Sequence, residues 1–157
     1  VVSLGIFYVS QNQGEEVELG TTVGKRAPDL ILSNLDGEEF ALKDLRGKTV
    51  ILDFFATWCP SCKAEMSHLN VIDSEYEDSS LEIISIGVDP SEGLDQLRKF
   101  KTNYEADWVF AKGVNAGSTY KISGIPTILI IDKNGIIQHR SGPITASSLR
   151  SKLKDVV

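Results

Sequence analysis

Cys59 and Cys62 are the only cysteines in the chain, and they stand three residues apart where a buried strand gives way to a helix. Before them, Val50-Ile51-Leu52-Asp53-Phe54-Phe55-Ala56 is short, apolar and partly β-branched, which reads as a buried strand. After them, Met66, Leu69, Ile72 and Tyr76 recur at intervals of three or four, the spacing of a helix running on from Lys63. Cys59 therefore lies near a helix N-terminus and Cys62 one turn inside. A C-x-x-C pair so placed can close a small disulfide and reopen it.

The thiolate is the nucleophile in disulfide exchange. A free cysteine ionises at about 8.5, and helix N-termini and C-x-x-C settings bring that value to roughly 3.5–7.5. Unpaired amides of the first turn and the aligned peptide dipoles favour negative charge there. Pro60 suits that turn, because its missing N–H has no helical partner to lose. Cys59 is the expected attacking sulfur and Cys62 the resolving one. An inert structural disulfide is the first competing reading, but so short a loop gains little from closure. Half of a zinc site is the second. It needs four ligands, and His68 and His139, the only histidines, show no ligand spacing to the pair.

Elsewhere the chain reads as one α/β unit. A hairpin-like segment at about 29–42, with Asp36-Gly37 at its tip, precedes strand 49–55, helix 60–77 and strand 81–88. Asp89 or Ser91 is placed to cap a helix reaching about Tyr104, with Leu94, Leu97 and Phe100 on its apolar face. A short strand at 108–110 and a helical turn at 116–120 follow. Strand 127–132, an Asn134-Gly135 hairpin turn, strand 136–140 and a last helix from a Thr145 cap to about Asp155 complete the pattern.

These motifs resemble a known family. Asp53-Phe54-Phe55-Ala56-Thr57-Trp58-Cys59-Pro60-Ser61-Cys62 is similar to the active-site segment of thioredoxins. Gly124-Ile125-Pro126-Thr127 resembles their cis-proline loop, and Gly24-Lys25-Arg26-Ala27-Pro28-Asp29-Leu30 resembles the opening segment of the TlpA/ResA-like branch and of related peroxiredoxins. Leu42 to Lys48 looks like that branch's short turn before the first core strand. The resemblance covers roughly residues 24–157. It implies a thioredoxin fold, with a central mixed β-sheet flanked by helices and an N-terminal hairpin extension. It further implies a thiol-disulfide oxidoreductase that acts on disulfide-containing or dithiol proteins without a cofactor, as a monomer outside the cytoplasm. A cytoplasmic setting is the alternative, since thioredoxins there carry lone pairs too.

Glu65 matches the acidic residue that this branch places near the cysteines. Asp53 is a departure: it matches the buried acid of ordinary thioredoxins, where TlpA-like members more often carry a neutral residue. A buried carboxyl group, its pKa raised by desolvation, can take up the proton that Cys62 must lose. Glu65 is at i+3 from Cys62 on one helical face, and Asp53 interrupts an apolar strand, where an unpaired charge is costly. An ordinary solvated charge at Glu65 and a satisfied structural acid at Asp53 are the plainer readings, so the proton-transfer role is left open between them. Pro126 reads as a cis proline or as a trans proline opening an edge strand. The resemblance implies that the backbone of Ile125 pairs with an extended client chain. Trp58 is either an apolar surface beside the dithiol or a core side chain. Trp58, Pro60, Gly124, Ile125 and Pro126 are thus the expected substrate-binding residues.

Two other functions compete. Ala27-Pro28-Asp29 and Thr57-x-Cys59 fit a peroxiredoxin-like peroxidase, yet no proline stands just before Thr57 in Asp53-Phe54-Phe55-Ala56. Copper-delivery relatives of the fold use C-x-x-x-C with a distant histidine, and this chain has C-x-x-C. A net charge of −6 without a basic run gives nucleic acid no phosphate-neutralising surface, and no nucleotide-binding glycine motif occurs. Residues 1–23 read as an extension. Its first nine residues are almost wholly apolar and too few to span a bilayer, which needs about 20. With the polar stretch 10–18 they suggest the outer end of a membrane anchor and its tether, or equally a short element packed on the domain.

Overall fold

The computed structural model describes residues 16–113 and 115–157; the apolar segment 1–9 lies outside them. In chain order the elements are β1 (Ile31–Asn34), β2 (Glu39–Ala41), β3 (Thr49–Phe55), α1 (Pro60–Glu75), β4 (Leu81–Gly87), α2 (Leu94–Asn103), β5 (Val109–Lys112), α3 (Ala116–Thr119), β6 (Thr127–Ile131), β7 (Ile137–Ser141) and α4 (Ala146–Leu153), with a 3₁₀ turn at Leu42–Leu45.

The strands form one mixed sheet in the order β2-β1-β5-β4-β3-β6-β7. β3 runs parallel to β4, and β4 to β5; β6 and β7 add antiparallel on one side, and β1 and β2 on the other. Parallel neighbours need a crossover, and α1 supplies it between β3 and β4. Every residue of β3 is buried, so apart from Thr49 and Asp53 the strand reads as a continuous apolar run rather than an alternation. Its side chains still divide by parity. Ile51 and Phe55 join Met66, Leu69 and Ile72 of α1, with Leu97, Phe100, Leu149 and Leu153, on one face. Val50, Leu52 and Phe54 join Leu42, Tyr120 and Ile137 on the other. Burying one such aliphatic side chain stabilises the fold by about 1.5–3 kcal/mol. By the same parity Asp53 falls on the α1 face, between Ile51 and Phe55.

Two local expectations are corrected. Neither Asp89 nor Ser91 caps α2. The helix begins at Leu94 behind Gly93, whose N–H donates to the Gln96 side chain at 2.8 Å. Asp89 instead closes an Asx turn, its Oδ1 accepting from the Ser91 N–H at 2.8 Å and hydroxyl at 2.7 Å. A short acid offered a local turn takes it in preference to a cap further on. α1 and α4 also end earlier than expected, at Glu75 and Leu153. Both expected hairpins form: Asp36-Gly37 lies in the turn that joins β1 to β2 and Asn134-Gly135 in the one that joins β6 to β7, with Gly37 (φ 80°) and Gly135 (φ 84°) at positive φ. Each loop is held from its first residue: Asn34 Oδ1 accepts from the Asp36 and Glu38 N–H groups, and Asp132 Oδ1 accepts from those of Asn134 and Ile136, all within 3.0 Å.

Candidate active site

β3 ends at Phe55 and α1 starts at Pro60, so Thr57 to Cys59 bridge the two with little slack. Cys59 is the N-cap of α1. Its backbone is extended, and its sulfur accepts from the Cys62 N–H at 3.2 Å, as a capping oxygen would in other helices. Both cysteines are free thiols and both are buried. Across from them the Ile125–Pro126 peptide bond is cis, and the Ile125 carbonyl lies 3.6 Å from Cys59 Sγ, within reach of its S–H. Thr127 Oγ donates to the Gly124 carbonyl at 2.6 Å, which ties that loop to the start of β6.

The environment of Cys62 is hostile to charge. Burial first, then its hydrogen bond with the Cys59 sulfur, push the thiol well up; the charges of Cys59 and Asp53 add to this, and the Ala56 backbone opposes it. Cys62 therefore needs a base to take its proton before it can attack.

Two carboxyl groups stand near. Asp53 is fully buried in the middle of β3, opposite Ser85 of β4 and Ile128 of β6. Its Oδ2 accepts from the Ser85 hydroxyl at 2.7 Å. Burial pushes Asp53 up to about 7, against the Ser85 hydrogen bond and helped by the charge of Glu65. Glu65, one turn beyond Cys62 on α1, is only 2% exposed, and its Oε2 accepts from the Ile144 N–H at 3.1 Å. Burial pushes it also to about 7, with the Ile144 N–H pulling the other way. The surface-charge reading of Glu65 is thereby corrected: the loop leading into α4 covers it. Asp53 Oδ1 and Glu65 Oε1 are the two buried side-chain polar atoms without a hydrogen-bond partner among the described residues. Lone polar atoms of this kind are uncommon in folded proteins and ask for a chemical reason.

Trp58 is 61% exposed, which sets aside the core-packing reading. Its Nε1 donates to Asp89 Oδ2 at 2.7 Å, holding the ring in place beside the dithiol. Pro60 and Gly124 are exposed, Ile125 is half-buried and Pro126 is buried, so Trp58, Pro60, Gly124 and Ile125 offer a surface next to Cys59 while Pro126 lies beneath it.

Several residues around the site were not legible beforehand. Glu92 is buried, 4% exposed, and grips Thr57 twice: Oε1 accepts from its N–H at 2.9 Å and Oε2 from its hydroxyl. Thr57 and Trp58 are thus both held by acids of the loop after β4. Ser85 and Trp108 are equally absent from a sequence reading. The available signal for Ser85 is a lone hydroxyl inside the apolar run 81–88. His68 contributes structurally, Nδ1 accepting from the Ala146 N–H at 3.2 Å, where it meets the first turn of α4. Among the described residues no group of three or more histidine, cysteine or acidic side chains is arranged to hold a metal ion.

Known proteins resemble this chain in sequence and in fold. The AhpC/TSA family model matches residues 23–140. The thiol-disulfide oxidoreductase ResA of Bacillus anthracis is 33% identical over 137 residues, 85% of this chain and 78% of that protein. The thioredoxin-like protein YneN of Bacillus subtilis (strain 168) is 35% identical over 141 residues, 87% of this chain and 81% of its own length. The crystal structure of the thioredoxin domain of a thiol-disulfide oxidoreductase from Bacteroides vulgatus superposes with a TM-score of 0.77 at 23% identity, covering 87% of this chain and 99% of that one, which shows the fold. With a capped C-x-x-C pair, the proline loop facing it and identity sustained over most of its length, the chain belongs to the AhpC/TSA family, among its ResA-like thiol-disulfide oxidoreductases.

Proposed function

We propose that the protein exchanges its Cys59–Cys62 dithiol with disulfides of client proteins, Cys59 attacking and Cys62 resolving. The Cys59 sulfur, held at the helix start and facing the Ile125 carbonyl, is the observation that carries this reading. The Cys59 thiolate attacks one sulfur of the client disulfide; the other leaves as a thiolate, and a mixed disulfide forms. Cys62 then gives its proton to a neighbouring carboxylate and attacks Cys59 Sγ. The client's second sulfur departs with the electron pair, and two electrons have passed to the client. Asp53 and Glu65 are the proton acceptors available to Cys62. Trp58, Pro60 and the 124–126 loop receive the client, whose extended chain adds to the Ile125 backbone as a further strand.

The preferred direction is reduction of the client. No histidine or other cation stands between the cysteines to stabilise a thiolate, and the charge of Asp53 disfavours one at Cys62. Both effects favour the disulfide form of this protein, and about 30 mV corresponds to 1.4 kcal/mol for a two-electron couple. The working unit is residues 24–157 acting as a monomer. An isolated cysteine pair fits an oxidising compartment outside the cytoplasm, where further cysteines would mispair; no helix of the described residues is long and apolar enough to cross a membrane. A membrane-impermeant maleimide that labels Cys59 in intact cells supports that placement, and labelling only after lysis refutes it.

Insulin reduction tests the mechanism. Cys59→Ser abolishes turnover, and Cys62→Ser accumulates a mixed disulfide that dithiothreitol releases. Full activity in the Cys59→Ser protein overturns the assignment. The peroxidase reading loses support at Thr57, whose hydroxyl is committed to Glu92 rather than free for a peroxide; rapid stoichiometric consumption of hydrogen peroxide would restore it.

A further inference from the structure

Among the described residues no cation pairs with Asp53. Its partner is the Ser85 hydroxyl, and Ser85 in turn is held by Trp108, whose Nε1 lies 2.9 Å from Ser85 Oγ. The chemistry of the three groups gives this chain a direction. An indole N–H can only donate, so Ser85 Oγ accepts from Trp108. The hydroxyl has one hydrogen, and its other neighbour is Asp53 Oδ2 at 2.7 Å. Ser85 therefore donates to Oδ2, an arrangement that favours the ionised carboxylate.

The relay is built into rigid parts. Ser85 pairs with Asp53 across the parallel β3–β4 ladder. Trp108 is 5% exposed and packs against Phe110, with ring centroids 6.0 Å apart; Phe110 in turn meets Phe55 edge-on at 5.4 Å. The indole cannot turn away without disturbing that cluster. β6 brings only the apolar Ile128 opposite Asp53, and the ionisable groups that act on it or feel it are Glu65 and Cys62, both from α1.

We propose that Ser85 and Trp108 are positioning residues for Asp53: they commit Oδ2 to accepting a hydrogen bond and leave Oδ1 as the oxygen that takes up and returns the Cys62 proton. The inference rests on the reading of Asp53 as a proton acceptor for Cys62. It assigns that role to one oxygen, the one without a partner. In the step concerned, the Cys62 S–H bond breaks, its proton goes to Oδ1, and the sulfur's electron pair forms the bond to Cys59 Sγ as the bond from Cys59 to the client sulfur opens. Were the Ser85 hydroxyl absent, either oxygen could carry the proton, and the ionised acid would lose its one donor.

The resolving step is observable with the reduced protein and Ellman's reagent. Cys59 takes up one thionitrobenzoate, and attack by Cys62 releases a second, which stopped-flow absorbance follows from pH 5.5 to 9. Asp53→Asn flattens the pH dependence of that second release. Ser85→Ala moves its inflection upward by about one to two pH units, the effect of removing one hydrogen bond to a charged acceptor. Ser85→Thr, which keeps the hydroxyl, restores the wild-type profile, and Trp108→Phe gives an upward shift smaller than that of Ser85→Ala. Carboxyl-carbon NMR of Asp53 reads the same displacement without reference to activity. If Asp53→Asn leaves the profile unchanged, the proton-transfer reading itself fails. If Asp53→Asn flattens it while Ser85→Ala does not move it, the positioning role fails and Asp53 survives. Should Ser85→Ala not fold, Trp108→Phe decides: no upward shift there overturns the relay.

Discussion

Replacing Asp53 by asparagine makes the protein more stable, and by an amount that grows with pH. The carboxyl is carried from an ordinary 3.8 to about 7, chiefly because it is buried. Between those values the native state holds a proton that the unfolded chain has released, so stability is greatest at low pH and falls as the pH rises toward 7. The whole effect is about 4 kcal/mol above pH 7, of which about 3 kcal/mol develops above pH 5. Asparagine resembles the protonated acid: its carbonyl oxygen can keep the Ser85 hydrogen bond, and its amide occupies the place of Oδ1 without charge. Urea unfolding of both proteins, with the cysteines reduced, should therefore give a stability gap that widens by about 2–3 kcal/mol between pH 5 and 8.5. A gap that stays constant over that range would refute the reasoning, since Asp53 would then be ionised throughout and its burial of no energetic consequence. Glu65 rises in the same way, but the two carboxyl groups repel each other and their contributions do not add.

Glu65→Gln keeps an acceptor for the Ile144 N–H and removes one negative charge, so Asp53 should titrate lower, by less than the Ser85 hydrogen bond shifts it; carboxyl NMR checks this, and an upward move would contradict it. Glu92→Ala frees Thr57 and should lower the rate of client reduction by about tenfold, about 1.4 kcal/mol in the barrier. Glu92→Gln can still meet both Thr57 groups and should retain most of the rate, a contrast that insulin turnover measures. Trp58→Ala should raise KM for protein disulfides if the proposed client surface is right, with little change in Tm, because the ring is 61% exposed and not part of the core. An unaltered KM, or a large loss of Tm, would remove it from the binding surface.

Much of the fold was readable along the chain because it rests on local periodicity. The apolar run at 50–56 and the 3–4 spacing of Met66, Leu69, Ile72 and Tyr76 announce β3 and α1, and the cysteine pair between them marks the reacting atoms. Element ends were less readable. At Asp89 two local options, a cap and an Asx turn, have the same sequence signature, and a hydrogen bond to distant Trp58 accompanies the turn that forms.

The partnerships of the site belong to neither kind of signal. Asp53 is recognisable as an acid in an apolar strand, but its hydroxyl donor comes from position 85 and that donor's own support from position 108. Glu65 has the i+3 spacing of a surface charge as much as of a catalytic one, until the chain around Ile144 folds over it. Residue types and helical or strand spacing are properties of a few consecutive positions, and they sufficed to name the chemistry and where it sits. Burial and register bring together residues tens of positions apart, and only those contacts decide which carboxyl oxygen is held, which is free, and how readily each gives up its proton.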